Sequence, residues 1–275
     1  MSFSSNYFDD ILSYYSKFNE AERLLQGVGK LEFTRTQELI WRYIQRPGGI
    51  VLDIGGAAGI YSLWLSRQGY QVHLIDPVET HIHQAKDSSE IQNKYPISST
   101  TVGDARDLPF GDNFADAVLF MGPLYHIVEN ESRIRALEEA HRVLKRRGIL
   151  FAAAISRFAS AMAGLFQGLL DDPQFSNIVE RDLQDGQHRN PANHNSYFTT
   201  AYFHHPEELY SELIASGFCH VNVFAIEGPG WLLQNFENHW GDTKKRNRLL
   251  EIIRKLESES SLIGVSAHVM AIAKK

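Results

Sequence analysis

Between residues 50 and 155 the chain alternates short apolar runs of strand-like composition with segments in which apolar residues recur at helical spacing. Such runs are typical of strands buried on both faces of a parallel sheet, because the crossover helices cover those faces. Crossovers between parallel strands are right-handed, so the alternation predicts an α/β fold with a Rossmann-like, doubly wound sheet. The five runs are residues 50–54, 72–76, 99–103, 115–120 and 149–155.

Helices are predicted between these strands, and further elements follow them. The first helices cover residues 60–67, 79–91 and 131–145. We expect the last of these to end at Arg146-Arg147-Gly148, because cations favour a helix C-terminus and glycine commonly follows it. Later in the chain, helices are predicted over residues 206–216 and 232–257, and strands over residues 218–227 and 263–273. Two late strands after five parallel ones predict a seven-stranded sheet with one reversed strand.

The domain organisation follows from length and rhythm. A chain of 275 residues that is 43% hydrophobic can bury one substantial core, so we predict a single domain, residues 1–275. Its N-terminal segment, residues 1–46, is predicted to be helical. Residues 156–205 depart from the strand and helix rhythm, with a turn-rich stretch and many aromatic residues. We interpret this segment as a helical cap inserted after strand five, over the carboxyl edge of the sheet.

Glycines follow the first predicted strand where it turns into a helix. The strand ends at Asp53, and Gly55, Gly56 and Gly59 surround Ala57. Glycine lets the backbone approach a ligand closely and adopt positive φ. The loop resembles motif I of the class I S-adenosylmethionine (SAM) dependent methyltransferases, acid-x-Gly-x-Gly-x-Gly, with alanine in place of the middle glycine. The methyl group of Ala57 is expected to be tolerated if φ at this residue stays negative.

Two further strand ends extend the resemblance. Asp76 ends the second strand, where the family has the carboxylate that accepts two ribose hydroxyls, a diol that suits paired acceptor oxygens. Asp104 follows the third strand and looks like the family's contact to the adenine amino group. The resemblance, to small-molecule methyltransferases of the UbiE or type-11 kind, implies SAM as the cofactor. The implied cofactor contacts are Asp53, Gly55, Gly56, Ala57, Gly59, Asp76, Pro77, Gly103, Asp104, Ala105, Met121 and Arg35.

Alternatives stay open at this point. A nicotinamide-dependent oxidoreductase shares the sheet and the acidic residue at the end of strand two, but its Gly-x-Gly-x-x-Gly loop must let a pyrophosphate sit on the helix N-terminus. Aligned from Gly55, the chain offers Ala57 and Ile60 at the other two positions, and Asp53 would repel a pyrophosphate. A non-catalytic SAM-binding protein is a second alternative. For Arg35, a contact with the cofactor's carboxylate and a solvent-facing side chain are both open.

Residues 121–126 follow the fourth strand, where the family places the groups that face the methyl acceptor. The segment resembles the small-molecule form of that loop, with Tyr125 and His126 as candidate catalytic side chains. Methyl transfer from a sulfonium is an in-line displacement, which needs orientation and, for a protonated nucleophile, a base. His126 is the candidate base, because the ordinary pKa of histidine lies near neutrality. Alternatively, both side chains wall the pocket or cap the next helix.

The later part of the chain supplies candidate contacts to the substrate. It combines polar and aromatic groups, a mixture expected of a specific pocket, although aromatic residues at this density also fit a core. The candidates are His188, Arg189, Tyr197, Tyr202 and Trp231. We expect no metal site, because His81 and His83 diverge on a helix. Cys219 is expected to be a small buried hydrophobe.

Composition bears on partners and location. The formal net charge is −6 and comes without a basic block, since even Lys145-Arg146-Arg147 is short for the positive face of a nucleic-acid binder. The sequence has no apolar run of about 18 residues and no secretory signal pattern. We therefore predict a cytoplasmic monomer or homodimer that acts on a small-molecule methyl acceptor and binds neither nucleic acid nor membrane.

Overall fold

A seven-stranded sheet organises the part of the chain that the computed structural model describes, residues 6–15, 20–44, 47–192, 194 and 197–275. The strands are β1 (Ile50–Ile54), β2 (Gln71–Asp76), β3 (Ser99–Val102), β4 (Ala115–Phe120), β5 (Leu144–Ile155), β6 (Gln187–His188), β7 (Ala201–Tyr202), β8 (Cys219–Ala225) and β9 (His268–Lys274). The sheet order is β3-β2-β1-β4-β5-β9-β8, with one strand antiparallel, and β6 pairs with β7 separately. The prediction of a Rossmann-like seven-stranded sheet is confirmed.

Twelve α-helices and three short 3₁₀ turns accompany the strands in the described residues. The helices are α1 (Asn6–Tyr15), α2 (Glu20–Arg23), α3 (Gly29–Tyr43), α4 (Ile60–Arg67), α5 (Glu79–Gln92), α6 (Pro123–His126), α7 (Asn130–Val143), α8 (Ala159–Gln167), α9 (Pro173–Asp185), α10 (Pro206–Ala215), α11 (Phe236–Gly241) and α12 (Thr243–Leu256). The turns are Leu169–Asp171, Gly228–Leu232 and Ile263–Val265. None of the helices found in the described ranges is long and apolar enough to cross a bilayer.

The chain divides into two compact units. The sheet unit comprises residues 36–153, 207–223 and 270–275, and the helical unit comprises residues 1–35, 154–206 and 224–269. The predicted cap, residues 156–205, belongs to the helical unit, and its placement over the sheet stays a prediction. The predicted helical N-terminal segment contains α1, α2 and α3, while its residues 1–5, 16–19 and 45–46 lie outside the described residues.

In the sheet unit, β1 lies between β2 and β4 and is parallel to both. Val51, Leu52, Val118 and Leu119 are fully buried, as expected for strands covered on both faces. The chain runs from β1 outward to β3 and then returns to β4, so the direction of winding reverses between β1 and β4. In doubly wound sheets the ligand crevice lies at the carboxyl ends of the strands at such a reversal.

The junction between α7 and β5 differs from the prediction. The helix ends at Val143, and the strand begins at Leu144, which pairs with Ala115 before a shift in register. Arg147 has a φ of +67°, and its N–H donates to the carbonyl of Lys275 at 3.2 Å. Our interpretation of residues 146–148 as a helix end was therefore wrong, because sheet pairing captures these residues before the helix can continue.

Two later expectations were also wrong. The helix predicted over 232–257 is split, because the carboxylate of Asp242 accepts hydrogen bonds from the N–H groups of Lys244 and Lys245 and caps α12. Cys219 is exposed instead of buried. Its neighbour Phe218 is buried, and successive side chains of an extended segment point to opposite faces.

Candidate active site

The glycines after β1 let the loop pack closely within the sheet unit. Gly55 has a φ of +70° and Gly59 a φ of +82°. A Cβ atom on Gly55 would lie 2.8 Å from Cδ of Pro123, and one on Gly56 would lie 2.6 Å from Cγ of Asp53. The loop therefore lies against both the segment after β4 and the carboxylate that precedes it, and neither approach leaves room for a side chain.

Ala57 adopts a left-handed conformation, with a φ of +47°, so the negative φ on which tolerance of its methyl group was conditioned is not observed. This conformation costs an alanine about 1–2 kcal/mol. The Ala57 N–H donates to Oδ2 of Asp76 at 2.9 Å, which joins the loop to the end of β2. The family pattern has glycine at this position, and the observed φ gives the physical reason.

Asp53 is fully buried and only partly satisfied. Its Oδ2 accepts a hydrogen bond from Ser62 Oγ at 2.6 Å, whereas its Oδ1 has no hydrogen-bond partner among the described residues. Burial raises the pKa of Asp53 to about 6, the Ser62 hydrogen bond opposes this shift, and the nearby charge of Asp76 adds to it. A buried acceptor of this kind suits a ligand that brings a hydrogen-bond donor or a positive charge.

Asp76 is held in place by three donors. Its Oδ1 accepts from the N–H of Val78 at 2.9 Å and lies 3.1 Å from Nδ1 of His81, and its Oδ2 accepts from Ala57. A carboxylate offers about four lone-pair sites, so capacity remains for a ligand hydroxyl. His81 is buried against Asp76, and the adjacent Pro77 is exposed.

The turn after β3 carries a carboxylate with an internal cation. Asp104 accepts hydrogen bonds from the backbone N–H of Arg106 at 2.8 Å and from its guanidinium at 2.9 and 2.5 Å. Burial would raise the pKa of Asp104, but the bonds from Arg106 outweigh it and lower this pKa. Ala105 is buried, and a Cβ atom on Gly103 would lie 2.9 Å from Cγ2 of Ile75. Asp104 is thus ionised and oriented, with acceptor capacity to spare.

The segment after β4 lies beside the glycine loop. A Cβ atom on Gly122 would lie 3.2 Å from the carbonyl oxygen of Gly55. Met121 and the side chains of Tyr125 and His126 are half-buried, and the two rings meet edge to face with their centroids 4.6 Å apart. The structure therefore brings the loops after β1 and β4 together within one unit.

Arg35 lies in the helical unit and is fully buried. Its Nε donates to the carbonyl of Ile226 at 3.2 Å, and its guanidinium forms an ion pair with Glu257. A solvent-facing Arg35 is therefore excluded, and the expected contact with the cofactor's carboxylate gains no support from these partners.

His188 belongs to a buried network in the helical unit. Its Nδ1 lies 2.8 Å from Oδ2 of Asp182, and its ring stacks on Phe203 with centroids 4.6 Å apart. Ser160 Oγ donates to the same carboxylate oxygen at 2.5 Å, while Oδ1 of Asp182 lacks a hydrogen-bond partner in the described part of the chain. Sequence reasoning missed Asp182, although an acid on the same face of α9 as Phe175 was a usable signal.

The other predicted substrate residues are engaged within the same unit. Arg189 donates to the carbonyl oxygens of His188 at 2.8 Å and Ala201 at 3.1 Å. Tyr197 donates its hydroxyl to Asp172, and Trp231 Nε1 donates to the carbonyl of Val265 at 2.9 Å. The remaining residue of the set, Tyr202, accepts from Arg157 at 3.2 Å. These bonds fix the side chains, and their contact with a substrate stays a prediction.

One cluster in the helical unit has the composition of a metal site. Within the described ranges, ligand atoms of Glu32, Glu227 and His268 lie within 4.8 Å of one another. Oε1 of Glu227 is already 2.6 Å from Nδ1 of His268, and Arg23 forms an ion pair with Glu32 at 2.6 Å. These internal partners make the cluster an ion-pair network.

The fold and the motif order define a class I SAM-dependent methyltransferase domain. The family model described as "Methyltransferase domain" matches residues 52–152, so this part of the chain is such a domain. The chain is similar to UbiE of Acidiphilium cryptum, a ubiquinone/menaquinone biosynthesis C-methyltransferase, with 31% identity over 157 residues. The match covers 57% of this chain and 60% of that protein, so the chain spans less than two thirds of its length.

Solved structures share the fold at low sequence identity. A SAM-dependent methyltransferase of Thermotoga maritima, described as a possible histamine N-methyltransferase, matches with 18% identity and a TM-score of 0.56. That match covers 98% of this chain and 99% of the other. The cyclase SpnF matches with 20% identity and a TM-score of 0.54, over 88% of this chain and 80% of the other. These likenesses concern the fold alone.

Proposed function

We propose that the protein transfers a methyl group from SAM to a small-molecule acceptor. The observation that supports this most is the buried carboxylate of Asp53, whose Oδ1 has no hydrogen-bond partner in the described residues, beside a second carboxylate at Asp76. SAM carries an ammonium group, which complements the charge of Asp53, and a ribose, whose two hydroxyls the carboxylate of Asp76 can accept. A dinucleotide would bring a pyrophosphate to the same loop, where the carboxylate of Asp53 would repel it.

Each residue of the site has a role in this proposal. Asp53 holds the ammonium group of the cofactor, Asp76 accepts the ribose hydroxyls, and Asp104 with Ala105 contacts the adenine. The left-handed glycine loop supplies close backbone approach. When bound, SAM supplies an electrophilic methyl group. His126 orients the acceptor or takes its proton, and Tyr125 restricts access to the acceptor position.

The acceptor is proposed to be a small molecule. The proposal does not specify whether its nucleophilic atom is carbon, nitrogen, oxygen or sulfur. The UbiE relative is named as a C-methyltransferase and the T. maritima protein as a possible N-methyltransferase. The contacts expected at His188, Arg189, Tyr197, Tyr202 and Trp231 are part of the proposal, as are a cytoplasmic location and the absence of nucleic-acid and membrane partners. The polar and aromatic character of these five side chains predicts a specific pocket for a partly apolar molecule.

The first experiment measures cofactor choice. Titration calorimetry with SAM, S-adenosylhomocysteine and NADH should show micromolar binding of the first two ligands and none of NADH. The second measures release of S-adenosylhomocysteine from SAM with a benzoquinol, histamine and a catechol, which present carbon, nitrogen and oxygen nucleophiles. NADH binding without SAM binding would overturn the proposal and favour the oxidoreductase.

A protein that binds SAM without transferring its methyl group is the second candidate. The observation in its favour is the shared fold with the cyclase SpnF, whose name describes no methyl transfer. This candidate predicts binding of S-adenosylhomocysteine and no release of it from SAM with any acceptor class, in the presence of an intact His126.

A further inference from the structure

A buried ion pair joins α7 to α10 in the sheet unit. Arg133 is 1% exposed and Glu212 is 7% exposed. Nη2 of Arg133 lies 2.7 Å from Oε1 of Glu212, and Nε lies 3.0 and 3.2 Å from the two carboxylate oxygens. Asn130 Nδ2 also donates to Oε1 at 2.9 Å. Glu212 of α10 therefore fixes one edge of the Arg133 guanidinium, and Asn130 helps to hold Glu212 in place.

The other edge of the same guanidinium holds the segment that follows His126. Nη1 of Arg133 donates to the carbonyl of Ile127 at 3.2 Å and to that of Val128 at 2.9 Å. His126 is the last residue of α6, a helix of four residues. A single helical turn has little stability of its own, so its orientation depends on such outside contacts.

We propose that Arg133, held by Glu212, is a positioning residue for His126, an inference that rests on the role proposed for His126 above. Arginine suits this task because its planar fork can bind a carboxylate on one edge and two carbonyl oxygens on the other. A buried ion pair is seldom more stabilising than well-packed apolar residues of similar volume. Stability alone therefore does not explain why a buried ion pair lies here. Its contact with the two carbonyls that follow the candidate base explains it better.

The test compares variants that keep the fold with one that removes the same kind of bonds elsewhere. Arg133→Lys keeps the charge but loses the fork, and Arg133→Met with Glu212→Leu replaces the whole pair by apolar groups. Arg142→Lys is the matched control in the same helix, because Arg142 also binds a carboxylate, Glu139, and a backbone carbonyl, that of Phe110. Binding of S-adenosylhomocysteine confirms that each variant is folded.

The readout that needs no acceptor is the nuclear magnetic resonance of the imidazole ring of His126. The chain has 12 histidines, so protein with labelled histidine is used and the His126 signal is assigned with His126→Gln. We expect both Arg133 variants to shift or broaden this signal at unchanged affinity for S-adenosylhomocysteine, and Arg142→Lys to leave it in place. An unchanged His126 signal in both Arg133 variants would overturn the proposal.

A double-mutant cycle separates this inference from the proposed function. With the acceptor class that gives turnover, Arg133→Lys should lower kcat about tenfold with little change in KM for SAM, because misplacement of a catalytic group acts on the chemical step. In the His126→Ala background the same change should have no further effect. Additive losses would refute positioning through His126, whereas wild-type turnover of His126→Ala alone would refute the role of His126 itself.

Discussion

The carboxylate of Asp76 accepts a hydrogen bond from the glycine loop and, in the proposed function, also binds the ribose hydroxyls of the cofactor. Asp76→Ala removes a charged acceptor of two hydroxyls, and hydrogen bonds to charged groups contribute about 1.5–3 kcal/mol each. We expect the affinity for S-adenosylhomocysteine to fall by at least about tenfold. Titration calorimetry measures this directly.

The matched comparison for this prediction is Ala57→Gly. Glycine relieves the left-handed strain at a φ of +47° but adds freedom to the unfolded chain, two effects of about 1 kcal/mol that oppose each other. Affinity and stability should therefore change little. If Asp76→Ala were as harmless as Ala57→Gly, the ligand would have to bind elsewhere.

His126→Ala should leave the affinity for S-adenosylhomocysteine intact and lower turnover by about 10²–10⁴, the usual contribution of a general base. Turnover is measured as release of S-adenosylhomocysteine from SAM across pH. Tyr125→Phe, which keeps the ring that packs against His126, tests separately whether the hydroxyl of Tyr125 contributes to turnover. Wild-type turnover and an unchanged acidic limb in His126→Ala would make His126 structural and turn attention to Tyr125 and His188.

Residue types were easier to predict than their partners. The acids that follow the predicted strands could be identified as site candidates, because the carboxyl ends of parallel strands lie at one edge of the sheet. The ion pair of Arg35 with Glu257 could not be predicted, since the two residues are far apart in the chain and share no pattern. The bond from Ala57 to Asp76 is likewise a product of tertiary folding, and the positive φ of Ala57 was not predicted from the sequence.

The start of α12 offers a prediction at the scale of an element. Asp242→Ala removes the side chain that accepts two N–H groups of the first turn, and loss of such a cap costs about 1 kcal/mol. Urea unfolding should show this drop. Asp242→Asn should behave as the wild-type, because asparagine caps equally well, and equal losses in both variants would assign the effect to charge instead.

Elements were predicted best where local pattern and burial agree. Strands β1 to β4 lie within one or two residues of their expected bounds, because apolar runs buried on both faces have little alternative. The α7–β5 junction failed because Leu144 continues the helical spacing of α7 yet pairs with Ala115 in the sheet. The split between α11 and α12 carries a readable signal, an Asp-Thr pair before basic residues, which we overlooked.

Stability of the whole molecule should depend on pH through His268. Burial would lower the pKa of His268, but the charges of Glu32 and Glu227 and a hydrogen bond to Glu227 raise this pKa to about 9. The unfolded value is near 6.5, so the stabilisation is complete below pH 6.5 and lost as pH rises through 9. Between pH 7 and pH 10 deprotonation of His268 should lower the free energy of unfolding by about 2 kcal/mol. This is less than the full pKa shift implies, because the His268 side chain is partly exposed and solvent weakens its ion pairs.

Chemical unfolding at both pH values tests this expectation. Other groups also titrate in this range, so His268→Gln is the control, and its stability should fall less between pH 7 and pH 10 than that of the wild-type. Parallel losses in the two proteins would show that His268 is not protonated in the folded state at neutral pH.

Positive charge is concentrated on one helix of the molecule. The helix α12 carries six of the 27 basic residues and a single acid, Glu251, and most of these side chains are exposed. The basic residues of α12 outnumber those of the run at residues 145–147, on which the prediction of no basic block rested. The absence of a nucleic-acid partner consequently stays a prediction that rests on net charge alone.

The buried charge of Asp53 makes the folded chain less stable near neutrality than it would be with this carboxyl protonated. With a pKa near 6, Asp53 favours folding below pH 4, and this contribution is lost as pH rises through 6, at a cost of about 3 kcal/mol near neutrality. A ligand that binds only the folded chain offsets such a cost by mass action. In the proposed function, cells short of SAM would expose more of this protein to proteases, and its abundance would follow the methylation state of the cell.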